Sequence, residues 1–193
     1  EWTEAYAVPS PEPSKSDNRK HWYGFEHPVY VGYSNTGKRT TNFIDLNHIN
    51  FVSEGKQSND PPHDISEVGP QNYRQGLAWR NTPMWDRRIR EAIEQAKKYA
   101  RNAPKNQGQP PFIMVVDPGY AVILLRNFGT GNYEAHPSPE EYIFSMDDLK
   151  KPEVIDLFRA VWLDPYSLDP ARHSQKVTDA ITDHLIQMVE GLE

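Results

Sequence analysis

The sequence predicts an α/β fold, a mixed sheet flanked by helices, on three observations. Alternating aromatic and β-branched runs between residues 22 and 56 read as strands. The stretch "PPFIMVVDPGYAVILLRNF" (residues 110–128) holds two runs that are apolar on both faces, as interior strands covered by helices are. Between these strand regions, "NTPMWDRRIREAIEQAKKYARNAP" (residues 81–104) carries an apolar stripe at helical spacing.

Taken in order, residues 1–8 read as the end of a helix that begins upstream, and residues 9–20 as a Pro/Ser-rich charged loop. "WYGFEHPVYVGY" (22–33) alternates as a strand, with Pro28 near an edge or bulge. "SNTGKR" (34–39) has turn chemistry, and "TTNFIDL" and "INFVSEGK" follow as two strands joined around Asn47 and His48. Residues 57–81 show no period and read as a long loop, functional or disordered. The helix after it has Thr82 as N-cap, Pro83 at its first position, a stripe of Trp85, Ile89, Ala92, Ile93, Ala96 and Ala100, and Pro104 as its stop. Strands are expected at 112–116 and 121–125 around the Asp117-Pro118-Gly119 turn, and a short one in "EYIFS". Ser145, with Asp148 completing a capping box, predicts a helix through Trp162. A last helix, capped by Asp169, carries Val177, Ile181, Leu185, Met188, Val189 and Leu192 as a stripe that needs a partner surface.

Composition narrows the function classes. The 193 residues suit one ordinary domain, or a compact core plus an appendage. No apolar run is long enough to cross a bilayer and no signal-peptide pattern is present. The absence of cysteine excludes disulfides and thiolate metal sites and is compatible with a cytoplasmic setting. A net charge of −6 argues against a generic nucleic-acid coat, yet residues 72–105 carry nine Lys/Arg against three acids. Such a local basic field can serve a polyanion. The chain does not start with Met and ends inside a helical pattern, so it reads as part of something longer.

The candidate chemistry lies at Asp45, Glu54 and Lys56. The two carboxylates sit on adjacent strands joined by a tight connection, and Glu54 and Lys56 are two apart, so they share one side of a regular strand. Two acids able to hold a hard cation, with a lysine beside them, suit phosphodiester hydrolysis. Gly55 is unusual inside a strand: it either lets its backbone carbonyl approach a metal or marks a bulge. Gln95 and Tyr99 share a helix face at i,i+4 spacing, from which Gln95 could reach a bound water or a phosphate.

Asp45 followed by Glu54-Gly55-Lys56 resembles the D…(D/E)-x-K pattern of the PD-(D/E)xK nucleases, and Gln95-x-x-x-Tyr99 resembles the Q-x-x-x-Y signature of RecB-like members. More narrowly, "WDRRIREAIEQAKKYARNAP", "PPFIMVVDPGYAVILL", "NFGTGNY", "MDDL" and "FRAVWLDPYSLDPARHSQKVT" are similar to the N-terminal region of MmeI-like (Type IIG or IIL) restriction–modification DNA methyltransferases. The resemblance runs from about Phe25 to the C-terminus, and its most specific part is W-x-D-P-x-S-L-D-P-x-R, residues 162–172. It implies a restriction-endonuclease-like domain over residues 1–144 and, over 145–193, the start of a helical connector to an N6-adenine methyltransferase. It further implies a Mg²⁺-dependent endonuclease acting on double-stranded DNA in a cytoplasmic defence protein. Asp45, Glu54 and Gly55 would hold the metal, Lys56 would orient water, and Gln95 would assist. Arg87, Arg88, Lys97 and Lys98 would meet DNA phosphates, which positions DNA without reading it. S-adenosylmethionine and the target-recognition part are expected only beyond Glu193. One departure is that Leu46 to Ser53 place eight residues between Asp45 and Glu54, one fewer than is common in that group.

The competing reading is a catalytically silent docking or DNA-binding module of a defence methyltransferase. Other motifs are explained without chemistry. "DPPH" (60–63) has His63 where an amino-methyltransferase motif has an aromatic, "FGTGN" (128–132) fits a turn, and the seven histidines show no zinc-ligand spacing. Glu26 is a possible third acid, more simply an exposed strand residue.

Overall fold

The structure is a computed structural model that describes residues 23–58, 60, 79–103 and 108–190. The helix end expected at 1–8, the loop at 9–20 and most of the loop at 57–81, with its Pro-Pro-His stretch, lie outside the described residues, as do Pro104 and Leu192.

The architecture is mixed α/β. The elements are β1 (Tyr23–Tyr33), β2 (Arg39–His48), β3 (Phe51–Gly55), α1 (Pro83–Arg101), β4 (Phe112–Asp117), β5 (Ala121–Arg126), β6 (Glu134–Ala135), β7 (Ile143–Ser145), α2 (Pro152–Leu163) and α3 (Pro170–Glu190). They build a seven-stranded sheet in the order β1-β2-β3-β4-β5-β6, with β7 also on β5. The β3–β4 pair is parallel and every other pair is antiparallel. A parallel pair requires a crossover, and α1 supplies it.

The two faces of the sheet are covered differently. On one, α1 lays Trp85, Ile89, Ala92, Ala96 and Ala100 against Val52, Ile113, Val115 and Ile123. The alanines at i,i+4 spacing are fully buried, so the helix axis comes close to the strands. On the other face, Val154 and Val161 of α2 close over Phe51, Phe112, Leu124 and Phe144. Burying one such large apolar side chain contributes about 2 kcal/mol, so β4 and β5, apolar on both sides, anchor the domain.

Several boundaries move. The β2–β3 turn falls at Ile49 and Asn50 rather than at Asn47 and His48, because His48 is buried in a stack between Phe51 and Trp162. Ser145 and Asp148 do exchange capping bonds, but these enclose a 3-10 turn at Asp148–Lys150, and Pro152 starts the helix. Consequently α2 belongs to the second layer on the sheet. Asp169 caps α3 through the Ala171 N–H at 3.0 Å. The α3 stripe stays open: Val177, Ile181, Leu185 and Met188 are all about half exposed. No described helix is long and apolar enough to cross a membrane.

Candidate functional site

The site is assembled at one end of the sheet, where β2 and β3 part. β3 runs from the core outward, so its last residues leave the apolar layer with polar side chains. Glu54 lies on the α1 side, in alternation with Val52, and is only 2% exposed. Lys56, two residues on, reaches the same carboxylate: its Nζ lies 2.5 Å from Glu54 Oε1. From α1, Gln95 Nε2 donates to the same oxygen at 2.7 Å and to the Tyr99 hydroxyl at 2.6 Å. Asn42 Nδ2 donates to that hydroxyl from β2 at 3.3 Å. Lys56 and Gln95 thus meet on one oxygen of Glu54, and Asn42 joins them through the Tyr99 hydroxyl.

Asp45 arrives by a different route. The β2–β3 register pairs Leu46 with Ser53 and, carried one step further, sets Asp45 opposite Glu54. Residues two apart on a strand normally share a face, yet Ile44 packs in the α1-side core while Leu46 packs on the α2 side. The alternation breaks at Asp45. On β1, between the pairs Phe25–Leu46 and His27–Ile44, Glu26 faces it with φ 47°, a left-handed conformation that costs about 1 kcal/mol for a residue with a Cβ. The kink lets the Asp45 carboxylate accept the Gly55 N–H at 2.6 Å. A Cβ on Gly55 would stand 3.2 Å from that same oxygen. The glycine is therefore explained by the close approach of Asp45, and not by a bulge, because the β3–β4 register runs unbroken from Phe51 to Gly55.

The electrostatics single out Glu54. Burial pushes its carboxyl up from the ordinary value of 4.5; the hydrogen bond and charge of Lys56 pull it down, the Asp45 charge pushes it up, and the net direction is upward. Its second oxygen, Oε2, is buried with no hydrogen-bond partner among the described residues. A carboxylate oxygen withheld from water and left bare is the kind of atom a cation satisfies. Among the described residues no three His, Asp or Glu side chains cluster as a metal cage. Two carboxylates alone still suit Mg²⁺, which takes most of its remaining ligands from water and substrate phosphates.

Arg87, Arg88, Lys97 and Lys98, four of the six basic residues of α1, lie outside this constellation. Arg87, Arg88 and Lys98 are exposed on the helix. Arg87 pairs with Glu91 at 3.1 Å and Lys97 with Glu94 at 2.9 Å, both along the helix itself.

Sequence reasoning missed a second polar cluster, one strand over. Asp117, at the end of β4, is fully buried. It accepts the Ser58 N–H at 3.2 Å, the Ser58 hydroxyl, Trp85 Nε1 at 2.8 Å and Arg80 at 3.2 Å. Burial alone would raise its pKa, but the bonds from Ser58, Trp85 and Arg80 outweigh it and hold the carboxyl below the ordinary 3.8. The cluster ties the segment leaving β3, which carries Lys56, to the start of α1, which carries Gln95. The only sequence signal was an aspartate closing an apolar strand, and it reads equally well as a turn residue.

Comparison with family models, with curated proteins and with solved structures finds no match to the chain.

Proposed function

We propose that the chain is a Mg²⁺-dependent endonuclease module acting on double-stranded DNA, with the restriction-endonuclease-like site that its Asp45…Glu54-Gly55-Lys56 pattern resembles. One observation carries the reading: Lys56 from the end of β3 and Gln95 from α1 both bond Glu54, Asp45 from β2 bonds its neighbour Gly55, and the buried Glu54 Oε2 is left without a partner among the described residues. In this reading Asp45 and Glu54 hold the cation, with the Gly55 carbonyl as a further oxygen beside them. When bound, the cation supplies positive charge to the phosphate oxygens as the scissile bond breaks. The protein's own groups do the rest. The Lys56 ammonium donates to the attacking water or a phosphate oxygen and offsets developing negative charge. Tyr99, itself bonded by Asn42, fixes Gln95, which with Lys56 occupies Glu54 Oε1 and leaves Oε2 bare. Target recognition, methyl transfer and S-adenosylmethionine would belong to other parts of a larger defence protein.

A silent docking module is favoured by one feature: Glu54 Oε1 and Asp45 Oδ2 are already occupied by protein donors. Supercoiled-plasmid nicking separates the two. With Mg²⁺ the chain should convert supercoiled to open-circular plasmid, and Asp45→Ala should not. Equal conversion by both removes Asp45 from the chemistry, and no conversion by either leaves the docking reading.

A further inference from the structure

The β1–β2 hairpin extends well beyond the rest of the sheet. β1 and β2 pair from Tyr23 and His48 out to Tyr33 and Arg39, whereas β3 pairs with β2 only at Leu46 and Asn47. From Ile44 outward the hairpin is a two-stranded ribbon, its inner part resting on α1 through Val29 and Val31. Its end is closed by a tight turn in which Ser34 N–H bonds Lys38 O at 2.7 Å and Gly37 takes φ 75°.

The charge of this ribbon is opposite to that of the chain. The molecule carries 27 acidic residues and a net charge of −6, yet no acid lies between Glu26 and Asp45, where Lys38 and Arg39 stand. Both are exposed, and neither pairs with a carboxylate among the described residues. The Arg39 guanidinium lies 4.3 Å above the Tyr30 ring, which packs edge-on against Tyr33, itself 74% exposed. An arginine held on an aromatic face, beside an exposed ring and a free lysine, is a preorganised polyanion contact.

Resting on the nuclease reading, we infer that this ribbon is the element that grips the DNA backbone, with Lys38 and Arg39 on phosphates of the duplex whose scissile phosphate lies at Asp45. The continuity is covalent: Arg39 and Asp45 are on one strand, six residues apart, or about 20 Å at the usual rise. That spans roughly six base-pair steps, about half a helical turn, and an antiparallel ribbon has the width that a major groove admits. The ribbon then sets the distance along the duplex between grip and cut, while Arg87 and Lys97 of α1, each engaged with a glutamate, contribute less.

The test is fluorescence anisotropy of the 193-residue chain with a labelled 30-base-pair duplex in Ca²⁺, titrated from 50 to 200 mM KCl. A Lys38→Glu/Arg39→Glu variant should bind at least tenfold more weakly. A Lys38→Ala/Arg39→Ala variant, which leaves the exposed turn intact, should flatten the plot of log affinity against log salt by about two contacts' worth, near 0.9 each. If the native chain binds and both variants match it in affinity and slope, the ribbon inference is overturned while the nuclease reading stands. If the native chain binds no duplex, the ribbon inference fails as well, and plasmid nicking judges the nuclease reading separately.

Discussion

Two buried carboxylates end adjacent parallel strands, and the sheet treats them in opposite ways. Asp117, on β4, collects donors from Ser58, Trp85 and Arg80 and is held more acidic than usual. Glu54, on β3, has both of its described donors on one oxygen, leaves the other bare, and is pushed up by burial. A group whose ionised form is fully satisfied stabilises the fold. A group whose ionised form is buried and half-satisfied costs stability, and persists where the bare oxygen has a task. The difference fits Asp117 as the group that holds the site and, in the proposed reading, Glu54 as the group that works in it.

The comparison breaks most visibly at Asp117. Truncation in Asp117→Ala leaves the Arg80 charge and Trp85 Nε1 without their acceptor and unties Ser58, so it should cost about 3 kcal/mol, roughly 10 °C in Tm for a domain of this size. Circular-dichroism melts measure it. The pH dependence has a definite sign: with a folded value below 3.8, the stabilisation from Asp117 is fully present above 3.8 and is lost as pH falls through the folded value. The variant should lack that acid-side loss. A Tm within 2 °C of wild type would mean that the cluster holds nothing.

Glu54 should respond in the contrary direction. In Glu54→Gln the shape is kept and the buried charge removed, so Tm should equal or exceed that of wild type. Because the folded value of Glu54 lies above 4.5, its contribution to stability falls as pH rises from 4.5 through that value, and the variant should lose this component. Plasmid nicking should drop at least about 100-fold, since charge stabilisation by a bound cation amounts to several kcal/mol. A variant that melts lower and nicks normally would reverse the roles given to the two acids.

How much of this was legible in the sequence follows from how local each cause is. The α1 stripe, its Thr82–Pro83 start, and the two-faced strands expected at 112–116 and 121–125, each one residue longer in the structure, were readable because periodicity and capping act within a few residues. The pairing of Glu54 with Lys56, and of Gln95 with Tyr99, was readable for the same reason. Asp45 was readable as a residue but not as a geometry: its orientation depends on the alternation break and on Glu26 across the strand pair. Asp117 was invisible as a hub, since its partners Ser58, Arg80 and Trp85 come from two other segments. The reversed charge of the 27–44 ribbon needed its projection past β3 to mean anything.

The smallest expected effect gives the sharpest view of how Asp45 is held. Gly55→Ala places a Cβ 3.2 Å from Asp45 Oδ2, so the 2.6 Å bond from the Gly55 N–H must lengthen by a few tenths of an ångström. Weakening a charge-assisted bond costs roughly 1 kcal/mol, and the lost backbone freedom of the unfolded chain returns about 0.4–1 kcal/mol. The two nearly cancel, so Tm should move by no more than about 3 °C. Activity has no such compensation. A carboxylate displaced from its position beside Glu54 should slow nicking about tenfold, or about 1.4 kcal/mol at the transition state. A melt near wild type with slowed nicking places Gly55 in the site through its missing side chain. If nicking is unchanged, the close contact with Asp45 has no part in the chemistry, and Asp45 needs no glycine beside it.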